Sequence, residues 1–303
     1  MTNLDNKKLE VSIIIPNYNG YELLEKILPL VINTKKYKKN NIGEIVVVDD
    51  ASTDKSVEFL RNLKEIKLIK HKINRGFAAS VNTGVRSVKS ELVCLINSDV
   101  IPENNFLEKT LKHFEDDKVF GVSLHEEGYG YAAGKFENGF IIHKSLRASK
   151  DSKETFWISG GSGIFRRSIW MKLGGFNEKL FKFYWEDIDL SYRALKRDYV
   201  LLWEPEAKVF HKHETTIFKT FSKNKLRRMQ EVNQLVFIWK NLTSLNLFRK
   251  HITGLTKKIT LHPGYIRIVL TALMKIRPIL RARRKEKKEA MVSDEAIFAR
   301  FSK

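Results

Sequence analysis

The sequence predicts an α/β fold with a mostly parallel central sheet, and three observations carry the prediction. Short, apolar, β-branched runs alternate with helix-period segments through the first two thirds of the chain. That is the pattern of strands covered on both faces by crossover helices. The early strands end in polar clusters, although the strands themselves are apolar. The formal charge of +20 is also lopsided: residues 216–303 hold 21 Lys and Arg against five Asp and Glu, a net of +16. The chain therefore divides into a nearly balanced globular part, residues 1–215, and a basic helical extension, residues 216–303.

The elements follow in order. "VSIII" (residues 11–15) reads as a buried strand and "YELLEKILPLVINT" as the helix after it. "EIVVVDD" is the second strand, and the Ser, Thr and Asp of "STDKSVEFLRNL" cap its helix. "IKLIKH" is the third strand, with "GFAASVNTGVRSV" as a helix of small residues. "ELVCLINSD" and "KVFGVSLH" are the fourth and fifth strands, separated by a helix around "NNFLEKTLKHF". Residues 128–160, glycine-rich and then charged, have no clear period and read as a loop or irregular hairpin. "VLLWEP" is a later strand, followed by the histidine-bearing "KVFHKH". The single cysteine, Cys94, lies mid-strand and reads as a small core residue in a reducing compartment.

Open α/β sheets bind ligands beyond the carboxyl ends of their strands. Here those ends are residues 16–19, 49–54, 74–77 and 97–99, all polar. Asp99 suits a hard cation such as Mg²⁺ or Mn²⁺, or else caps the turn before Pro102. Asp50 is placed to accept from the imide N–H of uracil or thymine, or to cap the next helix. Tyr18 is placed to lay its ring on a base, and Arg75, beside Gly76, to meet a base or a phosphate. No dinucleotide fingerprint or P-loop occurs. In "FYWEDIDLSYRALKRDY" three carboxylates, Glu186, Asp187 and Asp189, sit behind Phe183, Tyr184 and Trp185. Acids there favour a helix N-terminus. An aromatic wall would also raise a carboxyl pKa toward the range of a general base. His211 reads as a metal ligand, a core residue or a solvated one.

Six motifs in order, "VSIIIPNYNG", "VVVDDAS", "NRGFAASVNTGV", "LINSD", "ISGGSGIFRRSIW" and "GGFNEKLFKFYWEDIDLSYRALKRDY", resemble glycosyltransferase family 2. The branch they are most similar to contains bacterial rhamnosyl- and galactofuranosyltransferases. The likeness covers about residues 10–215. It implies a GT-A, Rossmann-like domain, a nucleotide-diphosphate sugar donor, an inverting transfer and a divalent cation. Pro16, Tyr18, Asp50, Arg75, Asn97 and Ser98 would then line the donor site. Asp99, the last position of a DxD-like motif, would hold the metal with His211. Asp187 matches the catalytic base, and Trp157, Gly160, Gly161, Trp185, Glu186 and Asp189 would border the sugar and acceptor. The triplet Asn97-Ser98-Asp99 departs from the family pattern by supplying one carboxylate instead of two.

The basic extension reads as amphipathic helices for an anionic membrane surface, or as helices that pack on the domain or pair in a homodimer. No stretch reaches the roughly 18 uncharged apolar residues of a membrane span. A cytoplasmic protein, peripheral on the inner face of the plasma membrane, is the expectation, acting on a glycan or polyprenyl-diphosphate-linked acceptor. Nucleic acid is not the expected partner, because the charge gathers in a tail and no recognition module is present, and a basic nucleic-acid-binding protein is the lesser rival reading. The rival activity is that of a metal-dependent sugar nucleotidyltransferase.

Overall fold

The computed structural model describes residues 9–211 and 222–302. Its main sheet has nine strands. Four are mutually parallel: β1 (Val11–Asn17), β2 (Ile42–Asp49), β3 (Lys67–Lys70) and β4 (Leu92–Ile96), in the spatial order β3-β2-β1-β4. Beyond β4 the sheet turns mixed. β10 (Ser162–Arg166) runs antiparallel between β4 and β6 (Val119–Glu126). β11 (Val200–His211) then lies parallel to β6, and carries β5 (Val100–Pro102) and β9 (Lys153–Glu154) as antiparallel neighbours. The mostly parallel α/β sheet is as expected. The fifth predicted strand, β6, does not pair with the fourth, because β10 is inserted between them.

Both faces of the sheet are buried, which is why its strands are continuous apolar runs. Side chains alternate across a strand, so Ile13 and Ile15 join one core with Leu24 and Ile27 of α1 (Tyr21–Thr34), while Ile14 joins the other. The small residues of α3 (Phe77–Ser87) let it lie close on that second face: a Cβ at Gly84 would stand 2.3 Å from Ile14. Cys94 is fully buried in β4, and burial pushes its thiol up, away from thiolate chemistry.

The region read as a loop or irregular hairpin contains a regular antiparallel hairpin of β7 (Ala132–Glu137) and β8 (Phe140–Ser145). α6 (Glu186–Leu195) follows the aromatic turn. The extension forms α7 (Lys223–Asn241), α8 (Leu245–Leu261), α9 (Ile266–Leu273), α10 (Ile276–Glu289) and α11 (Asp294–Phe301). Ser222, Ser244 and Ser293 cap three of them by accepting from backbone amides.

These helices share one hydrophobic cluster with the sheet. Phe237 packs on Trp185 and Tyr192, Phe298 on Tyr192, and Phe301 on Phe156. Buried ion pairs fasten them further: Lys240 to Asp189 at 2.6 Å, Lys196 to Asp294 at 2.7 Å, and Arg197 to Glu286 at 2.8 Å. The line near residue 215 is therefore one of charge, while the packing runs across it. No described helix is long and apolar enough to cross a membrane.

Candidate active site

The carboxyl ends of β1, β2 and β4 gather as the sheet geometry requires. Pro16 pairs opposite Val48 at the end of β1, and Tyr18 beyond it is 40% exposed. The loop carrying Tyr18 lies beside the turn after β4, since a Cβ at Gly20 would stand 3.7 Å from Ser98 Oγ. At that turn Asp99 is buried, and its carboxylate lies 3.2 Å from His211 Nε2. His211 Nδ1 is in turn 3.2 Å from Glu126 at the end of β6. Burial opposes an imidazolium at His211, but the Asp99 and Glu126 carboxylates outweigh it and hold the pKa up at about 9.

Two consecutive glycines bridge this corner to the acidic helix. The Gly161 carbonyl accepts from the Asn97 amide at 2.9 Å, two residues before Asp99. The Gly160 amide donates to Asp187 Oδ2 at 3.3 Å. Neither position has room for more. A Cβ at Gly161 would stand 2.3 Å from Asn97 Nδ2, and one at Gly160 would stand 3.3 Å from Asp187 Cβ. The NSD turn and the acidic helix thus meet across one tight loop. Trp157, just before it, faces two clefts. One of about 260 Å³ reaches His211 and Glu126. The other, of about 470 Å³, reaches Glu186 and Asp187.

The three acids that follow Phe183, Tyr184 and Trp185 have three different fates. Burial raises Asp187, although the Ile188 and Gly160 amides stabilise its carboxylate. Burial, then the charge of Asp187 beside it, pushes Glu186 well above the usual carboxylate range, and its Oε2 is buried without a hydrogen-bond partner. Asp189 is a correction to the sequence reading, which set it beside the acceptor. It is completely buried and pairs with Arg193 at 2.9 Å and Lys240 at 2.6 Å, with Asn241 donating at 2.8 Å. Burial alone would raise its pKa, but Lys240 and Arg193 hold it low. Its role is to fix α6 to α7.

Asp50 is buried, its carboxylate accepting from the amides of Arg75 at 2.9 Å and Gly76 at 2.7 Å, with His71 Nδ1 at 2.7 Å. These contacts shape the loop before α3. The Arg75 guanidinium sits on the rim, donating to Glu178 at 3.0 Å.

Other residues of the site were not anticipated. Tyr184 and Trp185 both adopt left-handed backbone angles, φ 63° and 73°, a conformation costly for such side chains. Asn233 of α7 holds this turn by donating to the Phe183 and Tyr184 carbonyls at 2.8 and 3.1 Å. His143 of β8 stands edge-on to Trp157 and Trp185, and burial depresses its pKa, keeping the ring neutral. Arg227, Gln230 and Gln234 of α7 form the far wall of the larger cleft. Glu126 was legible in principle, because it ends a strand at the same edge as Asp99.

The Glycosyl transferase family 2 model matches residues 12–174. This chain belongs to that family. The pre-mycofactocin glycosyltransferase of Mycobacterium tuberculosis is 26% identical over 216 residues, 69% of this chain and 44% of that one. The family 2 chain spans a little under half the length of the curated relatives it matches. Among solved structures, the mannosyltransferase PcManGT of Pyrobaculum calidifontis, in complex with GDP-Man and Mn²⁺, superposes with a TM-score of 0.58 at 17% identity, covering 98% of this chain and 87% of that one. S. aureus TarS 1-349 in complex with UDP gives a TM-score of 0.56 at 17% identity, covering 92% of this chain and 88% of that one. At this identity the likeness establishes the GT-A-type fold of the family 2 chain.

The Mn²⁺ of the PcManGT complex makes a divalent cation a group to test against the residues present. Among the described residues no set of three or more His, Cys, Asp or Glu forms a ready metal cluster. Asp99 and His211 nonetheless bring a carboxylate and an imidazole into contact at the sheet edge, and a cation bound there would displace the proton that Asp99 and Glu126 hold on the ring. Such a pair fits a hard cation that completes its shell with phosphate oxygens and water.

Proposed function

We propose that this chain is an inverting glycosyltransferase. It moves a hexosyl or rhamnosyl group from a UDP- or dTDP-sugar to a hydroxyl of a glycan or lipid-linked acceptor, in building a bacterial cell-surface polysaccharide. One observation carries the reading: Gly160 and Gly161 tie Asp187 to Asn97, so an acid raised by burial and the Asp99–His211 pair stand on either side of one loop. Residues 1–215 hold the donor, with Tyr18, Asn97 and Ser98 nearest it. Residues 216–303 supply one wall of the acceptor cleft and a surface for the membrane that presents the acceptor, keeping the protein peripheral on its cytoplasmic face.

The acceptor hydroxyl enters the cleft beside Trp157 and gives its proton to Asp187 Oδ as it attacks the anomeric carbon. Glu186, whose protonated form burial favours and whose Oε2 is otherwise unpartnered, hydrogen-bonds a sugar or acceptor hydroxyl. Trp157 and Trp185 exclude water from the attacking face, which disfavours hydrolysis of the donor. When bound at Asp99 and His211, Mg²⁺ or Mn²⁺ supplies the charge that neutralises the leaving diphosphate.

A thermal-shift screen of UDP-, dTDP- and GDP-sugars with Mn²⁺ or Mg²⁺ tests the donor assignment. A cation-dependent rise in melting temperature with one nucleotide sugar is expected. Indifference to every nucleotide sugar, or pyrophosphate release from a nucleoside triphosphate, would refute it.

A further inference from the structure

We infer that the outward face of α9, with the end of α8 before it and α10 after it, docks this protein in the plane of an anionic lipid bilayer. One side of α9 is already packed, with Val269 and Ala272 buried in the core cluster that contains α7. The opposite side is apolar as well. Ile266, Leu270 and Leu273 recur at helical spacing and Met274 extends them; Leu270 is 55% and Met274 86% exposed. Leu261, which ends α8, and Leu280 of α10 are exposed too. A helix apolar on two sides with one side packed leaves a patch that marks an interaction surface.

The charge around the patch has one sign. Residues 232–285 contain no Asp or Glu. Arg267, Arg277, Arg281, Arg284 and Lys285 are all exposed. The acids that α10 does carry, Glu286 and Glu289, are turned to Arg197 of the domain at 2.8 and 2.6 Å. Both acids of α10 are thus paired with the domain, while most of its bases stay exposed. Apolar side chains rimmed by Arg and Lys are the make-up of a helix lying at the level of anionic headgroups. A second copy of the chain is a poorer occupant, because a two-fold contact sets the same basic rim against itself.

The inference rests on the proposed function only for the purpose of docking, which is to reach a lipid-linked acceptor. Flotation of the full chain tests it, with phosphatidylcholine vesicles and with vesicles rich in phosphatidylglycerol. The protein floats with the anionic vesicles and stays behind with the neutral ones. Leu270→Ser with Leu273→Ser, and separately Arg277→Glu with Arg281→Glu, each weaken flotation roughly tenfold or more. Melting temperature and the stabilisation by nucleotide sugar stay unchanged in both variants. Flotation that ignores lipid charge, or double variants that float like the parent, overturns the inference. So does a dimer in light scattering that the serine pair dissolves, which makes the face an interface between copies. Failure of the glycosyltransferase reading shows differently: flotation persists while no nucleotide sugar stabilises the protein.

Discussion

Asp187, Glu186 and Asp189 lie within four positions of each other, yet their surroundings assign them unlike work. Asp187 is held by two amides and raised by burial, so it loses its proton at a pH above that of an exposed aspartate. A base works only when deprotonated. Sugar transfer should therefore fall as pH drops through that raised pKa, and a pH–rate profile should place the acid limb above the ordinary aspartate range. An acid limb at or below that range would contradict the burial. Asp189 behaves oppositely. Lys240 and Arg193 keep it ionised, so its contribution to stability is present above the ordinary carboxylate pKa and lost as pH falls through its lowered value. Asp189→Ala leaves Arg193 without a carboxylate and Lys240 with only Glu286 at 4.0 Å, and should cost about 3–5 kcal/mol in denaturant unfolding. The burial that raises Asp187 was legible from the aromatic run before it. The commitment of Asp189 was not, because Lys240 and Asn241 lie 51 and 52 residues further along the chain. Nothing local announces such partners.

At the scale of elements, the site depends on a turn that is strained where it meets the acidic helix. Two bulky residues in the left-handed region each cost on the order of 1–3 kcal/mol, and α7 offsets that cost through Asn233. Removing the Asn233 amide lets Tyr184 and Trp185 relax and tilts the start of α6. Asn233→Ala should therefore lower turnover on the order of 10²-fold while nucleotide-sugar affinity, read by thermal shift, is retained. Equal losses of affinity and turnover would mean general unfolding instead. The strands, α1, α3 and the strand-end loops were legible because two-faced burial and polar strand ends write themselves into local sequence. The regular pairing of the β7–β8 hairpin was not, although a hairpin was one of the two readings of residues 128–160. Its glycine-rich stretch has no alternating signal, and its strands draw their order from contacts with Phe156, Phe298 and α7.

For the whole molecule, the charge division misjudges how the chain is built. The basic tail looks detachable by composition, but Asp294 near its end receives the Lys196 ammonium and the Tyr192 hydroxyl. Its amphipathic period told that one face would be buried, without saying against what. A chain ending at Asn241 leaves Lys196 buried without its partner and uncovers Phe156 and Tyr192. It should be insoluble or melt far below the full chain in a thermal scan. A truncated protein that melted normally and still responded to nucleotide sugar would show the extension to be an appendage. The same helices give the cleft beside Trp185 its far wall, the strained turn its brace and the molecule its outward basic face.

The central claim is that a proton acceptor and the Asp99–His211 corner face each other across one glycine loop. The most direct measurement is turnover of Asp187→Asn beside its affinity for the nucleotide sugar. A fall on the order of 10²–10⁴-fold with affinity held is the predicted result. A variant within tenfold of the parent, binding its donor equally well, would take Asp187 out of the reaction and the claim with it.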